Sequence, residues 1–217
     1  MSAADDTNGP PTMPDPAPAD DALAERRLDG EIAWQGKFLQ LRRDRVSLPD
    51  GRTAQREFIV HPGAATVIPI FDDGRVLIER QFRYPLGRSF IEFPAGKIDR
   101  GEAPIATACR ELVEETGWRA GRIAHLTTIH NAIGYSDERI ELYLATDLRR
   151  DVQRLDDGEF VQLEIVELDW LVDEVFAGRI TDVKTQIGVL WLERLRGGRQ
   201  PWPAFVDTAT LTDDLTG

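Results

Sequence analysis

The rhythm of apolar and polar positions changes along this chain, and each change predicts an element. Residues 1–22 are rich in Pro, Asp and Ala with almost no large apolar side chain, which predicts a disordered tail. From Glu31 the segment EIAWQGKFLQLRRDRVSL alternates, the turn Pro49-Asp50-Gly51 follows, and TAQREFIV alternates again. This predicts a strand, a hairpin turn and a strand, so residues 23–60 form a small β subdomain. ATVIPIF, the turn Asp72-Asp73-Gly74 and RVLIERQFRYP predict a second hairpin, from which SFIEFPAG leads onward. RIAHLTTIHNA and RIELYLATDL predict strands around a GYSDE loop; LRRDVQRLDDGE is polar and predicts a flexible loop before the strand FVQLEIVEL. DWLVDEVFAGR and TQIGVLWLERLRGG predict closing helices, the second with Ile187, Leu190, Trp191 and Leu195 as its apolar stripe. Residues 61–205 are expected to form the main domain and 206–217 a C-terminal tail, without an internal repeat of about 20 to 50 residues.

The stretch GKIDRGEAPIATACRELVEETGW, Gly96 to Trp118, reads as loop, helix, loop. Pro104 suits a first helical turn and Gly117 a left-handed stop. Ile105, Cys109, Leu112 and Thr116 lie on one side as a stripe to bury. Glu111 and Glu115 are one turn apart on a neighbouring face, with Glu114 close by. Solvated like charges at this spacing cost a few tenths of a kcal/mol, roughly, and partial burial raises that cost. Arg110 offsets one charge. Glu102, Glu111, Glu114 and Glu115 beside a glycine turn therefore suit hard divalent cations, which take oxygen ligands; a solvated acidic helix face is the plainer alternative.

Composition narrows the function. Hydrophobic content of 41% and charged content of 29% suit a soluble globular chain, and the net charge of -12 argues against a nucleic-acid-binding surface. It leaves a nucleotide substrate open, since bound metal ions invert a local field. The single cysteine, Cys109, falls at a core-facing helical position and is expected to pack rather than react. No apolar run reaches the roughly 20 residues of a membrane span, and the N-terminus lacks a basic start and an apolar h-region. A cytoplasmic protein without membrane attachment is the expectation.

Gly96, five residues, Glu102, seven residues, then Arg110-Glu111-Leu112-x-Glu114-Glu115-x-Gly117 resembles the Nudix box of hydrolases that cleave nucleoside diphosphates linked to another moiety. Trp118 departs mildly, standing where an aliphatic residue is usual. The β subdomain before the box resembles the ADP-ribose pyrophosphatase branch, which implies an α/β/α sandwich with a mixed sheet, dimerisation through that subdomain, and Mg2+ (or Mn2+) as cofactor. The resemblance implies metal ligation by Glu111, Glu115 and the backbone carbonyl of Ala95, with Glu114 as ligand or network partner and Glu102 and Arg110 as orienting residues. In LDDGEF it implies a metal-ligand place for Glu159 and a base place for Asp157, leaving the identity of the base open; a solvated acidic turn is the alternative. For substrate it implies Arg83 on the pyrophosphate, Lys37, Phe38, Arg56 and Glu57 on the nucleotide, Glu138 on the terminal ribose, and Ile133 and Gly134 as further substrate-binding residues of the same loop. Phe38 or Trp34 is a candidate to stack on adenine. The branch usually carries a proline about fifteen residues past its box, where this chain reads Asn131, Ala132, Ile133 and Gly134. ADP-ribose is therefore the first expected substrate, GDP-mannose and other nucleotide sugars the second, and a non-catalytic nucleotide-binding regulator the third reading.

Overall fold

A computed structural model describes residues 22–211; apart from Ala22 and residues 206–211, the expected tails lie outside them. The described residues divide into two compact units, residues 22–62 with 132–138, and residues 63–131 with 139–211.

The first unit is an antiparallel sheet of β1 (Arg26–Gln35), β2 (Gln40–Ser47) and β3 (Thr53–Val60), in that order. The alternating segment expected as one strand is thus two. The Gly36 amide donates to the Leu39 carbonyl at 2.9 Å and reverses the chain. A Cβ on Gly36 would lie 2.3 Å from the exposed Trp34 ring, so any larger residue there would have to displace that ring. Residues 132–138 join this unit at the end of β3, where the Ile59 amide donates to the Tyr135 carbonyl (2.8 Å) and the His61 amide to Asp137 Oδ1 (2.8 Å).

In the second unit, β4 (Ala64–Pro69), β5 (Val76–Arg83), β6 (Arg88–Glu92) and β7 (Ala95–Lys97) lead to α1 (Pro104–Thr116). There follow β8 (Trp118–Arg119), β9 (Arg122–His130), β10 (Arg139–Thr146), β11 (Arg149–Arg150) and β12 (Val161–Val166). Helices α2 (Leu168–Phe176) and α3 (Val183–Arg196) precede β13 (Val206–Asp207). One sheet runs β13-β9-β10-β4-β7 and another β12-β5-β6, with β8 and β11 paired apart. β10 and β4 are parallel and their neighbours antiparallel, so the main sheet is mixed. Pairing of β13 with β9 makes the start of the expected C-terminal tail part of the fold.

The expected second hairpin is not formed. β4 and β5 meet at one bridge, Ile70 to Val76, then part into different sheets. A strand buried on both faces carries no alternation to reveal its partner. In β4, Ala65 and Val67 pack with Ala108 and Leu112 of α1, whereas Ile68 packs with Val189 and Leu192 of α3 and Leu171 of α2. Helices thus cover opposite sides of β4 and β10, giving the expected α/β/α sandwich with a mixed sheet.

Helix α3 buries Leu195 of the expected stripe but otherwise turns a different face inward. Thr185, Gly188, Val189, Leu192 and Leu195 are buried, while Ile187, Leu190 and Trp191 line an outer groove. The deciding residue is Gly188. A Cβ there would lie 2.8 Å from Ile68 Cδ1 and 2.9 Å from Phe93 Cε2, so the helix seats on its smallest side chain and leaves the bulkier stripe outside.

Candidate active site

Helix α1 begins with Pro104 and ends at Gly117, whose φ of 65° provides the left-handed stop. Burial of Ala108 and Leu112 against β4 and β10 sets its rotation. Cys109 and Ile105 fall at the margin of that cluster, so the cysteine packs, its thiol pushed up to about 11 chiefly by burial. Trp118 lies edge-on to Phe71 at 4.9 Å and under the Arg150 guanidinium at 4.1 Å, so the box's one departure is absorbed in packing.

Arg110 gathers the carboxylates on its flank. Its Nε and Nη2 donate to the two oxygens of Glu102 (2.9 and 3.0 Å), and Nη1 donates to Glu111 Oε1 (2.8 Å) and Glu114 Oε2 (2.9 Å). Glu102 also accepts from Thr107 Oγ1 (2.7 Å) and the Asp99 amide (3.2 Å), joining the loop before α1 to its first turn. Burial opposes charge on Glu102, but these donors hold its carboxyl below the usual range.

Glu115 is 2% exposed and accepts from the Ala95 amide at 2.9 Å. Glu111 lies over Gly96 so closely that a Cβ would fall 1.8 Å from its Oε1. Glycine is therefore the residue that lets β7 approach the helix. The polar loop after β11 is tied to the end of α1: the Asp151 amide donates to the Gly117 carbonyl (2.8 Å), the Arg154 amide to that of Glu114 (2.9 Å), and Gln153 Nε2 to that of Glu115 (2.6 Å). This anchoring carries Glu159 to β5, where Gln81 Nε2 donates to its Oε1 at 3.0 Å. Asp157 stands exposed on the same turn. Arg83 is bound bidentately to Glu92, Nε to Oε1 and Nη2 to Oε2, both at 2.7 Å.

The electrostatics are unbalanced. Burial pushes Glu115 up to about 10, reinforced by Glu79, Glu111 and Glu159. Glu111 is raised by burial as well, against the pull of Arg110. As the side chains stand, no three of the described carboxyl, imidazole or thiol groups close around an ion; Glu111 is drawn onto Arg110 and Glu115 onto Ala95. The donors nevertheless fit hard divalent cations. They are oxygens, Glu115 is buried and Glu111 and Glu159 half-buried, they repel one another, and the Glu111 carboxylate occupies the place that Gly96 leaves open by lacking a Cβ.

The other sequence candidates lie in the first unit. Lys37 is exposed in the turn after β1, and Phe38 packs edge-on to His61 at 5.9 Å. Arg56 Nε donates to Glu25 Oε2 (2.8 Å) and Glu57 accepts from Arg43 Nε (2.9 Å), both on the exposed sheet surface. Glu138 stands 3.6 Å from His61 Nδ1, while Ile133 and Gly134 are exposed with open space around Gly134.

Sequence reasoning missed Glu79, Gln81 and Glu92 on the sheet and Lys184 on α3. The signal was a charge inside the apolar run VLIE, followed at period two by Gln81 and Arg83.

Fold and donor set define a class: α/β/α sandwich proteins with an acidic helix suited to divalent cations. The chain belongs to the NUDIX domain family, whose model matches residues 60–197. It is 36% identical over 174 residues to the ADP-ribose pyrophosphatase of Bacillus subtilis (strain 168), covering 79% of this chain and 94% of that protein. It is 39% identical over 171 residues to the methanol dehydrogenase activator of Bacillus methanolicus, covering 78% and 92%. Its fold is similar to the crystal structure of an ADP compounds hydrolase, with a TM-score of 0.71 at 21% identity over 80% of this chain and 95% of that one.

Proposed function

We propose that this protein hydrolyses the pyrophosphate bond of ADP-ribose, giving AMP and ribose 5-phosphate, with Mg2+ as cofactor and Mn2+ able to replace it. The observation that carries this is buried Glu115, held on the Ala95 amide and repelled by two half-buried carboxylates, Glu111 against Gly96 and Glu159 on its loop. Similarity to a protein named ADP-ribose pyrophosphatase supports the substrate. Glu111, Glu115, Glu159 and the Ala95 carbonyl would hold the ions, which when bound neutralise phosphate charge and acidify water.

The chain's own residues then have distinct tasks. Arg110 and Glu102 keep α1 and its preceding loop in one register, so the carboxylates meet the substrate preorganised. Glu114 shares the Arg110 Nη1 and balances Glu111. Water attacks a phosphorus, the P–O bond of the anhydride breaks, and a carboxylate of the Asp157–Glu159 turn accepts the water's proton. Glu159, oriented by Gln81, is given the ligand place, and Asp157, exposed on the same turn, the base place. Arg83 is assigned to the pyrophosphate, its Nε and Nη2 already aligned by Glu92.

We assign Lys37, Phe38, Arg56, Glu57 and Glu138 of the first unit to the nucleotide and terminal ribose, in a cytoplasmic homodimer. Leu28, Ile32 and Trp34 are exposed on β1, an apolar surface suited to a second copy. Among the described residues no helix is long and apolar enough to cross a membrane.

Turnover of a panel of nucleoside diphosphate sugars tests the substrate: ADP-ribose is expected to give the highest kcat/KM, and equal rates on GDP-mannose would overturn the assignment. The broader nucleotide-sugar reading is favoured by one observation, the absence of the branch's proline at the exposed Ile133–Gly134 turn. A non-catalytic role is disfavoured because the box retains all its carboxylates.

A further inference from the structure

Glu79 lies mid-strand in β5, opposite Glu92 of β6 and Leu163 of β12, and is 1% exposed. Neither of its carboxylate oxygens has a hydrogen-bond partner among the described residues. The cations on this face have their bonds elsewhere, Arg83 with Glu92, and Lys184 with Glu92 and Asp182. Gln81, two residues along and on the same face, gives its amide nitrogen to Glu159, which leaves its carbonyl oxygen buried and unpartnered too. Glu79 is also the leading charged neighbour acting on Glu115. Burying such oxygens without donors is costly, and a cation is what would satisfy all of them together.

We propose that Glu79, with the Gln81 carbonyl beside it, supplies additional oxygen ligands to the divalent-cation site from the sheet side. This rests on the metal site proposed above and extends it from the acidic helix and the Glu159 loop to β5. Glu79 meets the ions from the strand floor, and Gln81 serves twice, orienting Glu159 with its nitrogen and facing the ions with its oxygen.

The test is Mn2+ titration of the full-length, substrate-free protein, followed by calorimetry and by loss of the free-ion EPR signal, for wild type, Glu79→Gln, Glu79→Asp and Gln81→Leu. Glu79→Gln should weaken Mn2+ binding about 10- to 100-fold, Glu79→Asp should recover part of the loss, and Gln81→Leu should weaken it less. Folding is checked by melting in EDTA, where Glu79→Gln should be at least as stable as wild type because a buried carboxylate has been removed. Wild-type Mn2+ affinity in Glu79→Gln overturns this inference, as does a loss of stability in EDTA without a loss of Mn2+ binding. Should Glu79→Gln fail to fold, Glu79→Asp decides by the same affinity criterion. Absence of Mn2+ binding to wild type would instead sink the metal site itself, so the two failures are distinct.

Discussion

At the scale of single residues, the site is organised by what Gly96 lacks. Because a Cβ there would overlap the Glu111 carboxylate, Gly96→Ala should push that carboxylate aside while leaving the helix and its clamp in place. The expected result is a fall of about 10- to 100-fold in kcat and in Mn2+ affinity with little change in melting temperature, read from steady-state rates and metal titration. Glu115→Gln should be harsher, at least about 10²-fold in kcat, because it removes an assigned ligand. Undiminished turnover would refute that assignment. The Gly96, Glu102, Arg110, Glu111 and Glu115 set was legible in the sequence because all of it sits in one short stretch at fixed spacing. Glu79 was not, since its charged neighbours Glu92, Glu159 and Glu115 come from β6, from a loop some eighty residues later and from α1, and only tertiary structure brings them together.

At the scale of elements, alternation and helical period located the segments better than they paired them. Helix α1 was readable from Pro104 to Gly117 because its stop signals are local. The β4–β5 hairpin was misread because a good turn at Asp72-Asp73-Gly74 says nothing of how far two strands stay together beyond it. The inner face of α3 was misread because two apolar stripes compete on that helix, and the winner is set by Gly188 against Ile68 and Phe93. Overpacking that contact is therefore expected to hurt: Gly188→Val should destabilise by about 1–3 kcal/mol in urea denaturation, whereas Leu190→Ala on the outer stripe should cost clearly less. The opposite order would mean that α3 packs through its bulky face. The loop after β11 shows a related limit. Polar composition suggested only flexibility, yet backbone and Gln153 bonds to the carbonyls of α1 hold it on the helix and deliver Glu159.

At the scale of the whole molecule, a net charge of -12 and a knot of buried carboxylates make proton and metal occupancy two sides of one equilibrium. Without metal, Glu79 is pushed up to about 8 by burial and the nearby Glu92, and Glu115 to about 10 by burial and its acidic neighbours, from an ordinary carboxyl value of 4.5. A raised folded value means that the folded protein holds protons the unfolded chain has released. The associated stability is complete below about pH 4.5 and drains away as pH rises through about 8 and then about 10. The metal-free protein in EDTA should therefore melt at progressively lower temperature between neutral and alkaline pH, and Glu115→Gln should flatten that slope. At the proposed site Mg2+ would replace the protons with a cation that remains at high pH, so the slope should flatten in the wild type too and metal affinity should climb with pH. Calorimetric titration of Mg2+ in two buffers of different ionisation enthalpy measures the exchange directly. Binding at neutral pH is expected to release protons to the buffer; identical heats in both buffers would mean that these carboxyls are already ionised before the metal arrives, and that something other than protons balances them.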